Sequence, residues 1–270
     1  MLRVIDDEGV RELRLCRPPV NALDEALIGR IAAAVREAPG AGIRAIVLSG
    51  QPGLFSAGLD VPALLREERA GMRRLFAALW AAQEALARST VPIVAAITGH
   101  APAGGTVLAL HCDYRVMAAG PFSIGLNEVA VGLTPGPLLC RAFARLVGEQ
   151  RAADLLTRGG MLDPEAALAA GLVDAVCAPE EVVGHAHAHA RLLLALPPRA
   201  MLATRAAVRA PLAALFDATE NLLHGWLTAA PRFGLGWLYA LSASVAAAKW
   251  LCLLGFAGLV CAALLRRDPR

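Results

Sequence analysis

Residues 92–105 read PIVAAITGHAPAGG and join a short apolar run to a turn rich in proline and glycine. The run Val91–Thr98 has the length and the apolar content of a strand that is buried on both faces. Gly104 and Gly105 then open a segment of helical character that continues to about His111. This stretch therefore predicts a strand, a tight turn and a helix in immediate succession.

An upstream stretch repeats the same order of elements. Ile43–Ser49 (IRAIVLS) predicts a second buried strand, which ends at the turn residues GQPG (50–53). The turn FSAGLD follows at 55–60, and residues 62–88 predict one long helix with arginines and glutamates on one face. Two strand–turn–helix units indicate a layered α/β core.

Weaker patterns predict the remaining elements. Asn21 is the predicted N-cap of a helix that runs to about Ala38, with Asp24 and Glu25 in its first turn. Asp163, followed by a proline and a glutamate, predicts the start of another helix. Further strands are predicted at Arg11–Cys16, Tyr114–Met117, Phe122–Ile124 and Leu172–Cys177, and further helices at Pro179–Leu196 and from Pro198 onward.

The turns at 55–60 and 101–106 form the first candidate site. Small residues where a strand passes into a helix leave backbone N–H groups uncovered above the strand ends. Two such turns on neighbouring strands can direct two N–H donors at one oxygen, which is the geometry of an oxyanion hole. Two ordinary tight loops would show the same pattern, so the turns alone leave both interpretations open.

Glu128 is the candidate titratable group. It ends the segment GLNE (125–128), which follows the predicted strand Phe122–Ile124, and the next five residues, VAVGL, are apolar. A carboxylate in such surroundings loses hydration, which raises its pKa towards the range useful to a general base. A buried glutamate can equally pair with an arginine, and this alternative stays open too.

The composition limits the class of protein. The chain has 270 residues, of which 57% are hydrophobic and 18% charged, and its formal net charge is +3. These values exclude an intrinsically disordered chain and argue against a nucleic-acid partner. Six cysteines without a C-x-x-C pair indicate a reducing compartment, with no disulfide framework and no metal site. Because the N-terminus lacks the apolar core of a signal peptide, we expect a cytoplasmic protein.

The C-terminal part of the chain differs from the rest. We expect residues 1–196 to form the α/β core and 197–232 to add C-terminal helices. Residues 233–270 are an apolar tail in which Lys249 is the only charge before residue 266. The stretch 233–265 could associate with a membrane as an anchor. A buried helix of an oligomer, or a shifted reading frame, would explain the same composition.

Six motifs in family order resemble the enoyl-CoA hydratase/isomerase (crotonase) family. They are RPPVNALD (17–24), FSAGLD (55–60), PIVAAITGHAPAGG (92–105), CDYRV (112–116), IGLNEVAVGLTP (124–135) and DPEAALAAGLVDAV (163–176). The PAGG and GLNE segments look closest to the Δ3,Δ2-enoyl-CoA isomerases. The resemblance implies an α/β fold, a crotonase-like spiral of ββα units with a C-terminal helical region. It also implies assembly as a homotrimer or a dimer of trimers.

The resemblance also implies roles for individual residues. Leu59 and Gly104 match the positions whose backbone N–H groups form the family's oxyanion hole for the thioester carbonyl. Glu128 matches the glutamate that isomerases keep. Hydratases need a further glutamate in the glycine-turn helix, where this chain has Val107, so we expect hydration to be poor.

The implied function is conversion of a 3-enoyl-CoA into a 2-enoyl-CoA in fatty acid metabolism, with one glutamate as proton shuttle. Coenzyme A is part of the substrate, and no separate cofactor is implied. Residues expected to contact the CoA or acyl groups are Ala22, Ala57, Asp60, Ala103, Val107 and Asn127. Phe76, Leu79 and Trp80 either line the acyl chain or belong to the core. Another enolate reaction of the family (hydratase, hydrolase or decarboxylase), or a non-catalytic membrane-tethered acyl-CoA-binding protein, stays open.

The remaining polar residues have simpler interpretations. His185 and His189 have the i, i+4 spacing of a metal-binding pair, with His187 between them. No third ligand follows at a fixed spacing, so we expect an exposed helix face. Asp113 and Arg115 are expected at a strand end, where they could form a salt bridge.

Overall fold

The computed structural model describes residues 1–211. The predicted apolar tail (233–270), its possible membrane association, and most of the predicted C-terminal helices (197–232) lie outside these residues. Within residues 1–211, no helix is long and apolar enough to cross a bilayer.

Four strand–strand–helix units follow one another along the chain. They are β1 (Leu2–Asp7), β2 (Val10–Leu15) and α1 (Glu25–Glu37); β3 (Ala45–Ser49), β4 (Gly53–Leu54), α2 (Val61–Leu64) and α3 (Arg69–Ala87); β5 (Ile93–Ile97), β6 (Gly99–Pro102) and α4 (Gly104–Leu110); and β7 (Tyr114–Ala118), β8 (Ile124–Gly125) and α5 (Gly136–Val147). The later elements are α6 (Glu149–Arg158), α7 (Pro164–Ala170), β9 (Ala175–Cys177), α8 (Val182–Leu194) and the helical residues 198–211, here α9. The predicted α/β spiral of ββα units is confirmed.

The large sheet has six strands in the order β1-β2-β3-β5-β7-β9. β1 and β2 are antiparallel, and the other neighbouring pairs are parallel. The central strands β3 and β5 are buried along their whole length because helices cover both faces of the sheet. In β3, Ile46 and Leu48 pack into the core shared with α1 and α3, whereas Ala45 and Val47 pack with α8.

The small sheet has three parallel strands in the order β4-β6-β8. β4 and β6 lie so close that a Cβ atom on Gly99 would be 1.9 Å from the Gly53 carbonyl carbon. The carboxyl ends of parallel strands meet at one edge of a sheet, so the segments that follow these strands emerge together. Those segments are 55–60, 103–104 and 126–128, which are the two predicted turns and the segment with the candidate carboxylate.

The first two predicted helices differ from those in the structure. Asp24, not Asn21, is the N-cap of α1, and its carboxylate accepts a hydrogen bond from the Leu27 N–H at 2.7 Å. Asn21 is buried with a φ of +49°, and its side chain binds the surrounding loop instead. The predicted helix at 62–88 is two helices, α2 and α3, separated by the exposed residues 65–68.

Two arginines, the partly buried Arg205 and the buried Arg209, tie α9 to the rest of the described fold. Arg205 and Arg209 both pair with Asp113 at 2.9 Å, and Arg209 also donates to three carbonyls at the C-terminal ends of α3 and α4. Arg115 pairs instead with Asp174, at 2.7 Å. The predicted Asp113–Arg115 pair is therefore wrong, because both residues have partners that are distant in sequence.

Candidate active site

Buried side chains fix the turn that follows β4. The Ser56 hydroxyl donates to the Asn21 carbonyl at 2.8 Å and accepts from the Gly58 N–H at 3.1 Å. The Asn21 side-chain amide donates to two further backbone carbonyls, at 3.1 and 3.0 Å. The next amide, that of Leu59, has no acceptor among residues 1–211. The turn therefore holds the Leu59 N–H in place and leaves it available to a ligand.

The turn that follows β6 is strained. Ala103 has φ +45° and ψ −113°, a conformation that residues with a side chain rarely adopt, and its N–H donates to the Gly125 carbonyl at 2.9 Å. Gly104 comes next, at the first position of α4, where an N–H group has no acceptor within its own helix. Its amide finds no other acceptor in the described part of the chain. This turn therefore presents a second available N–H group.

The two turns touch at their glycines. Gly58 has a φ of +86°, and a Cβ atom there would lie 3.0 Å from the Gly104 nitrogen and 3.2 Å from the Ala103 Cβ. A Cβ atom on Gly104 would lie 2.9 Å from a methyl carbon of Leu23. Neither glycine accepts a side chain unless its neighbours move. The structure thus brings the two predicted turns together, an arrangement that can offer two N–H donors to one oxygen.

Glu128 lies three residues after β8 and is half-buried. Its Oε2 atom is buried and has no hydrogen-bond partner within residues 1–211. Desolvation raises the pKa of the Glu128 carboxyl, and a hydrogen bond from its own backbone opposes this shift only in part. No arginine of the described chain pairs with it, so the arginine-paired alternative is not what residues 1–211 show. A carboxyl group in this state can take up and return a proton.

Two further residues, Val107 and Cys140, bear on the chemistry of the site. Val107, on α4, is only 2% exposed and belongs to the hydrophobic core. Cys140, on α5, has a thiol whose pKa is raised by burial and, more weakly, by the charge of Glu128. The α4 position at which hydratases are expected to carry a further glutamate is therefore apolar and closed to solvent in this chain.

A sequence model of the family described as enoyl-CoA hydratase/isomerase matches residues 6–223. The chain belongs to the enoyl-CoA hydratase/isomerase family. A probable enoyl-CoA hydratase of Mycobacterium avium is 36% identical over 205 residues, which cover 76% of this chain and 79% of that protein. The human mitochondrial enoyl-CoA delta isomerase 1 is 32% identical over 204 residues, which cover 74% of this chain and 68% of that protein.

The fold is also that of solved members of the family. The crystal structure of human mitochondrial Δ3,Δ2-enoyl-CoA isomerase matches with a TM-score of 0.77 at 30% identity, over 82% of this chain and 88% of that one. An enoyl-CoA hydratase from Bacillus anthracis matches with a TM-score of 0.73 at 26% identity, over 77% and 81%. Both reaction names occur among the relatives, so the reaction has to be argued from the site.

Ion pairs around Arg17 join the loop that contains Ala22 to the loop that contains Asp60, two residues predicted to contact the acyl-CoA. Arg17 pairs with Asp60 at 2.8 Å and with Asp24 at 3.0 Å, and it donates to the Ala22 carbonyl at 3.1 Å. Asp60 also caps α2, and the backbone hydrogen bond of that cap, with the Arg17 bond, lowers the pKa of its carboxyl. Asp60 therefore shapes the loop, and Ala57 can offer a ligand only backbone or methyl contacts.

The three candidate acyl-lining residues of α3 have different environments. Leu79 is only 8% exposed and belongs to the hydrophobic core, and Trp80 packs against that core while partly buried. Phe76 is 46% exposed. The core interpretation thus holds for Leu79, whereas Phe76 is the member of the set with a surface open to a ligand.

The histidines of α8 face the large sheet. The Tyr114 ring stacks on His189 with centroids 3.7 Å apart, and the Tyr114 hydroxyl lies 3.2 Å from Nε2 of His185. Nε2 of His187 is 3.6 Å from the buried Glu12 carboxylate. The predicted exposed face is therefore wrong, because small residues in the buried stripe of α8 let the flanking imidazoles reach the sheet. Residues 1–211 contain no cluster of three or more His, Cys, Asp or Glu suited to a metal ion.

Several side chains that shape the site were absent from the predicted set. Asn21 and Ser56 bind the first turn, and Thr106 binds the second. Each is a small polar residue beside a tight turn, and that pattern could have revealed them. The pair that Arg17 forms with Asp60 joins residues 43 positions apart, for which a single sequence carries no signal.

Proposed function

We propose that this protein is an acyl-CoA double-bond isomerase that converts a 3-enoyl-CoA into a 2-enoyl-CoA. One observation carries the proposal. Within residues 1–211 the buried Oε2 atom of Glu128 has no hydrogen-bond partner and the pKa of this carboxyl is raised, while Val107 occupies the position where a second carboxylate would serve hydration. The similarity to the human isomerase, in sequence and in fold, supports the same conclusion.

In the proposed reaction, the thioester carbonyl oxygen accepts hydrogen bonds from the N–H groups of Leu59 and Gly104. Glu128 removes a proton from C2, and the electron pair moves onto the carbonyl oxygen to give a dienolate. The two N–H donors stabilise this negative charge, and each such donor typically contributes about 10²–10³ in rate. The Glu128 carboxylic acid then returns the proton to C4, the carbonyl re-forms, and the double bond lies between C2 and C3.

The apolar surroundings favour this shuttle over the addition of water. Hydration needs a second polar group to hold and activate the water molecule, and the Val107 side chain forms no hydrogen bond. Exclusion of water also keeps the pKa of Glu128 raised, which suits a group that must return the proton it has taken. Ala22, Ala57, Asp60, Ala103 and Asn127 are proposed to border the bound acyl-CoA.

The wider setting of this reaction is also a set of predictions. A homotrimer or dimer of trimers, a cytoplasmic location, membrane association through 233–265 and the domain bounds at 196 and 232 all stay expectations from the sequence.

The test compares the wild type with Glu128→Gln, which keeps the shape of the side chain and removes the base. Purified protein is offered a 3-enoyl-CoA, and formation of the conjugated 2-enoyl-CoA is followed by absorbance. We expect Glu128→Gln to lower kcat by about 10²–10⁴, with binding of a saturated acyl-CoA within two-fold of wild type. Glu165→Gln, at an exposed position on α7, is the matched control and should keep the wild-type rate.

Two results would contradict the proposal. A wild-type rate in Glu128→Gln would show that another group is the base. A wild-type protein that hydrates 2-enoyl-CoA rapidly and does not isomerise 3-enoyl-CoA would show that the reaction is the hydratase alternative.

A further inference from the structure

The Thr106 hydroxyl bridges the two strands that lead into the site. Thr106 is fully buried in the first turn of α4. Its Oγ1 atom accepts a hydrogen bond from the Gly125 N–H at 2.9 Å, and lies 2.5 Å from the Ala101 carbonyl oxygen and 3.0 Å from that of Gly125. The single hydroxyl proton can serve either carbonyl. One side chain therefore satisfies backbone groups of both β6 and β8.

This bridge lies where the pairing of the strands is sparse. The described pairing between β6 and β8 consists of two residue pairs, Ala101 with Ile124 and Pro102 with Gly125. Two backbone hydrogen bonds join the strands directly, from the Ala101 N–H to the Ser123 carbonyl and from the Ala103 N–H to the Gly125 carbonyl, both at 2.9 Å. The buried Thr106 hydroxyl adds side-chain hydrogen bonds to both strands of this short pairing.

The same bridge connects the two halves of the proposed reaction centre. Thr106 is two residues after Gly104, whose N–H is a proposed oxyanion donor. Gly125 is three residues before Glu128, the proposed base. A change in the separation of β6 and β8 would therefore move the base relative to the oxyanion donor. A misplacement of about 1 Å between reacting groups can lower a rate by roughly 10²-fold.

We propose that Thr106 is a positioning residue whose hydroxyl sets the distance between the oxyanion turn and the Glu128 turn. The proposal rests on the proposed function, since it assigns Thr106 a role in that same site. Thr106 does not touch the reacting atoms of the substrate. It acts through the backbone of β6 and β8.

The hydroxyl can be tested separately from the shape of the side chain. Valine has nearly the shape of threonine but cannot bind the Gly125 N–H or the Ala101 carbonyl, whereas serine keeps the hydroxyl. Thr98→Val is the matched control, because Thr98 is also buried and its hydroxyl donates to the Leu54 carbonyl at 3.2 Å. Each variant is compared with wild type in the full chain, per mole of folded protein.

Two measurements are made on each protein. The first is kcat and KM for isomerisation of a 3-enoyl-CoA. The second is the stretching frequency of the thioester carbonyl in a bound, ¹³C-labelled saturated acyl-CoA, measured by infrared difference spectroscopy, which falls when two N–H groups bind the oxygen. This frequency reports the oxyanion geometry without any turnover.

We expect Thr106→Val to lower kcat by about ten- to a hundred-fold with KM within two-fold, and to lose part of the carbonyl shift. Thr106→Ser and Thr98→Val should stay within about three-fold of wild-type kcat and keep the shift. If Thr106→Val matches wild type in both kcat and carbonyl shift, the positioning role is wrong. If wild type shows the carbonyl shift but does not isomerise, the proposed function fails, and the carbonyl shifts of the variants still test whether Thr106 holds the oxyanion turn in place.

Discussion

Gly58→Ala is the substitution that probes the contact between the two turns most sharply. Gly58 has a φ of +86°, where a residue with a side chain is strained by about 1–2 kcal/mol. The new methyl group would also lie 3.0 Å from the Gly104 nitrogen and 3.2 Å from the Pro102 carbonyl oxygen, so the turns must separate by a few tenths of an ångström. We expect a loss of about 2 kcal/mol in the free energy of unfolding.

The same displacement should lower catalysis beyond its effect on stability. The methyl group pushes on the turn that carries the Gly104 N–H, so the two proposed donors no longer converge on one oxygen. We expect kcat for 3-enoyl-CoA isomerisation to fall by about ten- to a hundred-fold.

Gly42→Ala is the matched control for backbone strain. Gly42 has a φ of +76°, similar to that of Gly58, but a Cβ atom there would meet no atom within 4 Å. It ends a 3-10 turn just before β3, at the opposite end of the strand from the site. This variant should lose about 1 kcal/mol of stability from strain alone and keep the wild-type kcat.

The assay combines urea unfolding with steady-state kinetics at a concentration where each variant is fully folded. Wild-type kcat in Gly58→Ala, or an equal fall in kcat in both variants, would refute the view that contact between the turns sets the geometry of the oxyanion donors.

The carboxyl groups of Glu128 and Glu12 and the buried guanidinium of Arg209 can each be tested by substitution. Because burial raises the pKa of Glu128, the acid limb of the pH profile of kcat/KM should lie at a higher pH than the pKa of an ordinary glutamate. The raised pKa also means that the ionised form of Glu128 destabilises the fold. Thermal unfolding at several pH values should therefore show a higher Tm for Glu128→Gln at neutral pH and no such difference in acid. Desolvation, the largest single effect, raises the pKa of Glu12, but contacts with His187, Arg14 and Ser49 together outweigh it and lower this pKa to about 2. Glu12→Gln should therefore be less stable than wild type at pH 7, by up to about 3 kcal/mol. Urea titrations should show this difference disappearing between pH 4.5 and about 2. Arg209→Met removes buried hydrogen bonds to Asp113 and to the ends of α3 and α4. It should lower the free energy of unfolding by about 3 kcal/mol. A loss as small as that of a surface substitution would contradict the role of Arg209 as an anchor of α9.

The parts of the fold that a local pattern specifies were predicted from the sequence. Strands β3 and β5 follow from short apolar runs, and Gly104 opens α4 as the glycine pair indicated. The order of the turns after β4, β6 and β8 was predictable for the same reason, since each is a strand end marked by small residues. The sequence also indicated that Glu128 lies in apolar surroundings.

The parts that depend on distant partners were not predictable. Asn21 has the residue type of a helix cap, but its side chain is used by the neighbouring turn, and Asp24 takes the cap instead. Asp113 pairs with arginines of α9 that lie about ninety residues away. The Thr106 hydroxyl was missed because its partners on β6 and β8 are defined only once the strands pair.

We propose that one carboxyl group, that of Glu128, carries the proton from C2 to C4. The most direct measurement uses a 3-enoyl-CoA with deuterium at C2 in ordinary water, and locates the label in the 2-enoyl-CoA product by NMR during the first turnovers. A single shuttle predicts that a measurable share of the deuterium appears at C4. A product whose C4 hydrogen comes entirely from solvent from the first turnover onward would contradict the account.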